Sequence, residues 1–122
     1  MDNILIKKAK IVDSKSSFNG KKVDILIEKG IITKIGKDIK SKHQVIEFKN
    51  LHVSAGWFDM HANFRDPGFE YQEDLTTGIK AAQKGGFTGV AVMPSTSPCI
   101  DTKSSVEYIL NKTKGAIVDI YP

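Results

Sequence analysis

Residues 56–68, Gly-Trp-Phe-Asp-Met-His-Ala-Asn-Phe-Arg-Asp-Pro-Gly, constrain the fold of this chain more than any other stretch. Apolar residues run into a cluster of His, Asn, Arg and Asp and then a Pro-Gly stop, which predicts a buried strand that delivers polar groups to its own carboxyl end. Residues i and i+2 of a strand share a face, so His61, Asn63 and Arg65 are expected to point one way, with Ala62 and Phe64 opposite. Such an arrangement suits a metal and an anion. The plainer alternatives are a core histidine satisfied by its neighbours and an arginine paired with Asp66 or Asp59.

The elements on either side have different periods. Residues 4–13 are β-prone with a polar middle, residues 14–22 form a loop, and residues 23–28 and 31–35 flank a hairpin turn in which Gly30 supplies a positive φ. Residues 44–48 make a fourth short strand. After Gly68 the pattern turns helical: Glu73, Asp74, Thr76 and Thr77 open a helix that Gly85-Gly86 closes. Residues 87–93 are an apolar, partly β-branched run of the kind found in buried parallel strands. Residues 94–101 form a loop, residues 102–114 a helix with Val106, Ile109 and Leu110 on one face, and residues 116–121 a third apolar strand. Strand, helix and strand in this order imply right-handed parallel crossovers.

Residues 59–68 resemble the first barrel strand of amidohydrolases, and of dihydroorotases in particular, whose text there is Asp-x-His-x-His-x-Arg-(Glu/Asp)-Pro-Gly. Residues 24–36 resemble the DxLIxxGxIxxIG text of that family's amino-terminal β-domain. Residues 67–78 and 85–88 also look like dihydroorotase, and less like hydantoinases or allantoinases. The resemblance implies an α/β fold: a small β-domain segment over residues 1–54, then the first three strands and two helices of a TIM-like (β/α)8 amidohydrolase barrel over residues 55–122, truncated. A complete barrel alone takes about 250 residues, so a chain of the resembled type, β-domain included, would be cut here after roughly a third of its length.

In the family, the paired histidines bind a zinc that helps activate the hydrolytic water, and the arginine grips the substrate carboxylate. By this resemblance His61 occupies a metal position, Asn63 stands where the second histidine ligand is lost, and Arg65 binds substrate. A carboxamide oxygen is a poor neutral ligand for zinc beside imidazole, so Asn63 is expected to weaken zinc binding. The substrate-binding Asn of the family's Met-Pro-Asn-Thr-x-Pro is Ser95 here, a shorter group with one donor instead of two. Two altered positions within intact surrounding text point to a non-catalytic relative that supports another pyrimidine-pathway enzyme such as aspartate carbamoyltransferase. The alternative is an active enzyme interconverting dihydroorotate and carbamoyl aspartate through an altered zinc site. No residue of this stretch of chain is assigned a catalytic role by itself, because the family's remaining ligands lie beyond Pro122. A homo-oligomer is expected of the full-length protein.

Charge and composition exclude other classes. Residues 1–50 hold 12 Lys against 6 Asp and Glu, and residues 51–122 hold 6 Lys and Arg against 8 Asp and Glu. The lysines are scattered through strands and turns and Arg65 is the only arginine, so they read as a solvated face and not as a nucleic-acid footprint. Cys99 is the only cysteine, which rules out an intrachain disulfide and makes a reducing cytoplasm the default expectation. No signal-peptide core or membrane-length apolar run is present, so no membrane association is expected. Ser95 and Ser97 have no neighbouring base, and His43, His52 and Cys99 read as surface, turn or small packing residues. Gly85-Gly86 lacks phosphate-loop spacing.

Overall fold

The computed structural model describes residues 3–122, which form two compact units, one ending at Ala55 and the other spanning Gly56–Pro122. The first is a β unit: β1 (Ile4–Ile11), β2 (Lys22–Glu28), β3 (Ile31–Gly36), β4 (Gln44–Ile46) and β5 (His52–Val53). Strand order is β3-β2-β1-β4, with β5 also pairing with β1. The β2–β3 hairpin turns through Lys29 at φ 53° and Gly30 at φ 80°, the two positive values that a tight two-residue turn requires. Ile11, Val23 and Ile25 form its buried core, packed against Ile6, Phe18, Ile27, Ile35 and Val53.

The polar middle of the first strand is a bulge. The β1–β2 register shifts between Ile6 and Ala9, and Lys8 takes φ 52°. Asp24 is buried opposite it, and its carboxylate accepts from the Lys8 amide at 2.9 Å and the Ile39 amide at 3.0 Å. A carboxylate thus satisfies two backbone donors that the irregular ladder would otherwise strand. The two-residue β5 has no periodicity for a sequence reading to detect, and the expected four strands are five.

The second unit is α/β: β6 (Trp57–Ala62), α1 (Leu75–Lys84), β7 (Phe87–Val92), α2 (Lys103–Lys112) and β8 (Asp119–Tyr121), with the strands parallel in the order β6-β7-β8. Each helix opens with a reciprocal capping box, Asp74 with Thr77 and Thr102 with Ser105, so both terminal amide sets find acceptors. Leu75, Val90, Val92, Ile109, Val118 and Ile120 make the core, with Ala62, Phe64, Ile79, Ala82, Phe87 and Ile100 against it. Each large aliphatic side chain buried here contributes about 1.5–3 kcal/mol, which offsets the cost of ordering the crossovers.

Four expectations change in this unit. The strand read as buried is largely exposed, with Trp57 61%, Phe58 52% and Met60 80% exposed, because β6 is an edge strand that pairs only with β7 among the described residues. Leu110 is 48% exposed, because Ile109, one residue earlier, is the side chain that α2 buries. The last strand begins at Asp119, later than residue 116, and Ile117 is exposed while Val118 packs inward. The α2 helix stops at Lys112, where the Thr113 hydroxyl donates to the Ile109 carbonyl at 2.9 Å. No helix among the described residues is long and apolar enough to cross a membrane.

Candidate functional site

The candidate site lies where β6 and β7 end. The strand that delivers it stops at Ala62, whose carbonyl accepts from the Met93 amide at 2.9 Å and so ties the two strand ends together. Ala62 and Phe64 pack against the core while His61 and Asn63 are exposed, as period-two alternation predicts. Arg65 departs from that alternation. It lies three residues past the strand at φ 60°, in the left-handed region, so its orientation is set by the turn and not by a face shared with His61 and Asn63.

Asp59 is half-buried and lines the hollow beside α1, and its Oδ1 accepts from the His61 amide at 2.8 Å. The β6–β7 register is irregular between Asp59 and Ala62, the local extra residue that re-aims side chains near a strand end. Asn63 and Ser95, 32 residues apart, come together: the Ser95 hydroxyl donates to Asn63 Oδ1 at 2.6 Å. The two positions that differ from the resembled motifs therefore face one another across the strand ends. This contact leaves the Asn63 amide nitrogen as that side chain's uncommitted donor end.

Asp66 behaves in the opposite way from its neighbour. Only 2% exposed, it turns inward and accepts from Lys112 Nζ at 2.7 Å, the Tyr108 hydroxyl at 2.8 Å and the Leu75 amide at 3.3 Å. Burial alone would push this carboxyl up, but Lys112, Tyr108 and the Leu75 amide outweigh it and hold the group below the usual carboxylate range. Lys112 is raised in turn, chiefly by its hydrogen bonds to Asp66 and Tyr108. Asp66 is thus committed to α2, and among the described residues Arg65 forms no ion pair, so the alternative of a structural pair with Asp66 or Asp59 is not made. Tyr108 and Lys112 were not legible as partners of this turn, since they lie 42 and 46 residues away and read locally as ordinary helix positions. His43 and His52 belong to the β unit, beside Glu28 at 3.4 Å and the Asn50 carbonyl at 2.7 Å.

The residues present do not by themselves fit a zinc ion. Structural and catalytic zinc sites draw at least three protein ligands from imidazole, thiolate and carboxylate. Here one exposed imidazole stands beside a neutral amide whose oxygen already accepts a hydroxyl, and Asp59 is bonded to its own strand. Among the described residues no three His, Cys, Asp or Glu side chains gather to hold a metal.

With this geometry in place, likeness to known proteins decides the family. The Dihydro-orotase-like family model matches residues 51–122. The chain belongs to the dihydroorotase-like family. It is 49% identical over 121 residues to a dihydroorotase of Acetivibrio thermocellus, covering 98% of this chain and 28% of that one. A dihydroorotase of Citrifermentans bemidjiense is 41% identical over 123 residues, covering 98% and 29%. This dihydroorotase-like chain therefore spans less than a third of the length of those relatives.

Solved structures show the same fold. A D-hydantoinase matches with a TM-score of 0.72 at 28% identity, over 97% of this chain and 26% of that one. A dihydroorotase matches with a TM-score of 0.63 over 98% and 30%, and its 15% identity speaks to fold alone. The observed units are accordingly the small β-domain segment and the first strands and helices of a TIM-like amidohydrolase barrel, truncated relative to those structures. Fold does not separate hydantoinase from dihydroorotase here; the curated sequence relatives do.

Proposed function

We propose that the full-length protein is a dihydroorotase-like member of cytoplasmic pyrimidine biosynthesis whose altered metal position leaves it without hydrolytic activity, and that it supports a partner enzyme such as aspartate carbamoyltransferase. The observation that carries this reading is the Ser95–Asn63 hydrogen bond, which engages one lone pair of the only oxygen that position 63 could offer a metal and turns it toward Ser95. Hydrolysis of a cyclic amide needs a water made nucleophilic near neutral pH, and His61 alone gives that chemistry too few ligands. Arg65, three residues past the strand, in this reading holds a carboxylate with its planar guanidinium through two parallel hydrogen bonds. In this reading the protein binds a carboxylate ligand without turning it over.

Supplying dihydroorotate and zinc to the full-length protein is expected to give no carbamoyl aspartate, while co-purification with aspartate carbamoyltransferase gives a stable complex by size-exclusion chromatography. Zinc-stimulated turnover would overturn the non-catalytic reading. It would favour the second reading, an active dihydroorotase with an altered zinc site. That alternative draws support from the 49% identity to a chain named dihydroorotase and from His61 and Arg65 in register with the family motif.

A further inference from the structure

Arg65 is the only arginine of the chain, and it is held in a backbone conformation that non-glycine residues adopt only when their surroundings enforce it. The enforcement comes from the residue beside it. The buried Asp66 carboxylate gathers donors from two elements, the Leu75 amide at the start of α1 and the Tyr108 hydroxyl and Lys112 ammonium on α2. Lys112 Nζ also lies 2.8 Å from the Tyr108 hydroxyl, so two helix positions one turn apart close on one carboxylate. On the other side of the turn, the Arg65 carbonyl accepts from the Phe69 amide at 2.9 Å and the Pro67 carbonyl from the Ser97 amide at 3.1 Å. The turn that carries Arg65 is therefore tied to α1 and α2 through the Asp66 side chain and to the loop after β7 through the Pro67 carbonyl.

We propose that Tyr108 and Lys112 are positioning residues for Arg65. They hold Asp66 inward and thereby fix the backbone from which the guanidinium reaches its ligand. This rests on the reading of Arg65 as a carboxylate binder given above. A cation and a hydroxyl are both needed, because a buried carboxylate with fewer donors would draw the turn toward solvent and swing Arg65 with it. A guanidinium that must meet a carboxylate with two hydrogen bonds at once tolerates little displacement, so loss of the anchor is read as lost affinity.

The test is orotate binding to the full-length protein by titration calorimetry, with thermal melting measured on the same samples. Arg65→Ala is expected to abolish binding. Lys112→Met is expected to weaken it about tenfold, Lys112→Arg to restore most of the affinity, and Tyr108→Phe to weaken it about threefold. Should Lys112→Met fail to fold, Tyr108→Phe carries the test, since it removes a single hydroxyl. Unchanged orotate affinity in folded Tyr108→Phe and Lys112→Met, with only the melting temperature lowered, would overturn the positioning role while leaving Arg65 as a binder. Absence of orotate binding by the unaltered protein, or binding unaffected by Arg65→Ala, would overturn the reading of Arg65 and the positioning role together.

Discussion

Residues 59–65 and residues 66–78 are adjacent in sequence and opposite in character. The first stretch presents His61 and Asn63 to solvent, with Asn63 bonded to another exposed group, Ser95. The second buries Asp66 on three donors, caps α1 with Asp74 and Thr77, and fits Gly68 against the loop after β7. Residues whose only task is at the front can change with little effect on folding, whereas those behind them are held by partners from both helices. The difference separates positions that can vary from positions that the fold holds in place.

The sharpest way to break the comparison is Lys112→Met, which leaves the Asp66 carboxylate buried without its cation. It is expected to cost about 3 kcal/mol by urea denaturation, whereas His61→Ala at the exposed front is expected to cost well under 1 kcal/mol. Gly68→Ala should come next, at roughly 2 kcal/mol. Its φ of 98° disfavours any side chain, and the new Cβ would meet the Ser97 carbonyl oxygen at 2.0 Å. Ser95→Ala removes one exposed hydrogen bond and is expected to change stability by no more than about 1 kcal/mol. A loss near 3 kcal/mol there would erase the contrast between front and rear.

Acid and base should separate the two stretches as well. The Asp66 carboxyl is depressed in the folded protein, so its contribution is present above the ordinary carboxylate pKa of about 3.9 and fades as pH falls through the folded value. Lys112 is raised, so its contribution is complete below the ordinary lysine pKa of about 10.4 and fades as pH rises through its folded value. Between those limits the pair should hold constant. Denaturation midpoints measured across this range are expected to show the acid-side loss, and Asp66→Asn is expected to flatten it.

Much of the local structure was legible in the sequence. The capping residues Asp74 and Thr77, the glycine stop after α1 and the β2–β3 turn at Gly30 all act through neighbours a few residues away, which is the range that composition and spacing can reach. His61, Asn63, Arg65 and Ser95 also stood out by type and place. What escaped reading was pairing across distance. Nothing in the spacing of residues 102–114 marks Tyr108 and Lys112 as partners for Asp66, and nothing near residue 94 says that Ser95 meets Asn63. Irregular backbone escaped for a related reason: the bulge at Lys8 depends on the buried Asp24 acceptor of another strand, and the left-handed turn at Arg65 on donors that α1 and α2 bring to Asp66. Strand alternation therefore holds for His61 and Asn63 and ends before Arg65, whose backbone is left-handed.

The most direct measurement is the zinc content per chain of the full-length protein, by elemental mass spectrometry after dialysis, beside Asn63→His in the same background. Position 63 is where imidazole and amide chemistry differ most for a borderline-soft ion. Zinc far below one per chain in the unaltered protein, rising toward one in Asn63→His, is the result expected of a scaffold whose metal position has lapsed. Near-stoichiometric zinc in the unaltered protein would contradict it and remove the argument that the metal position is empty.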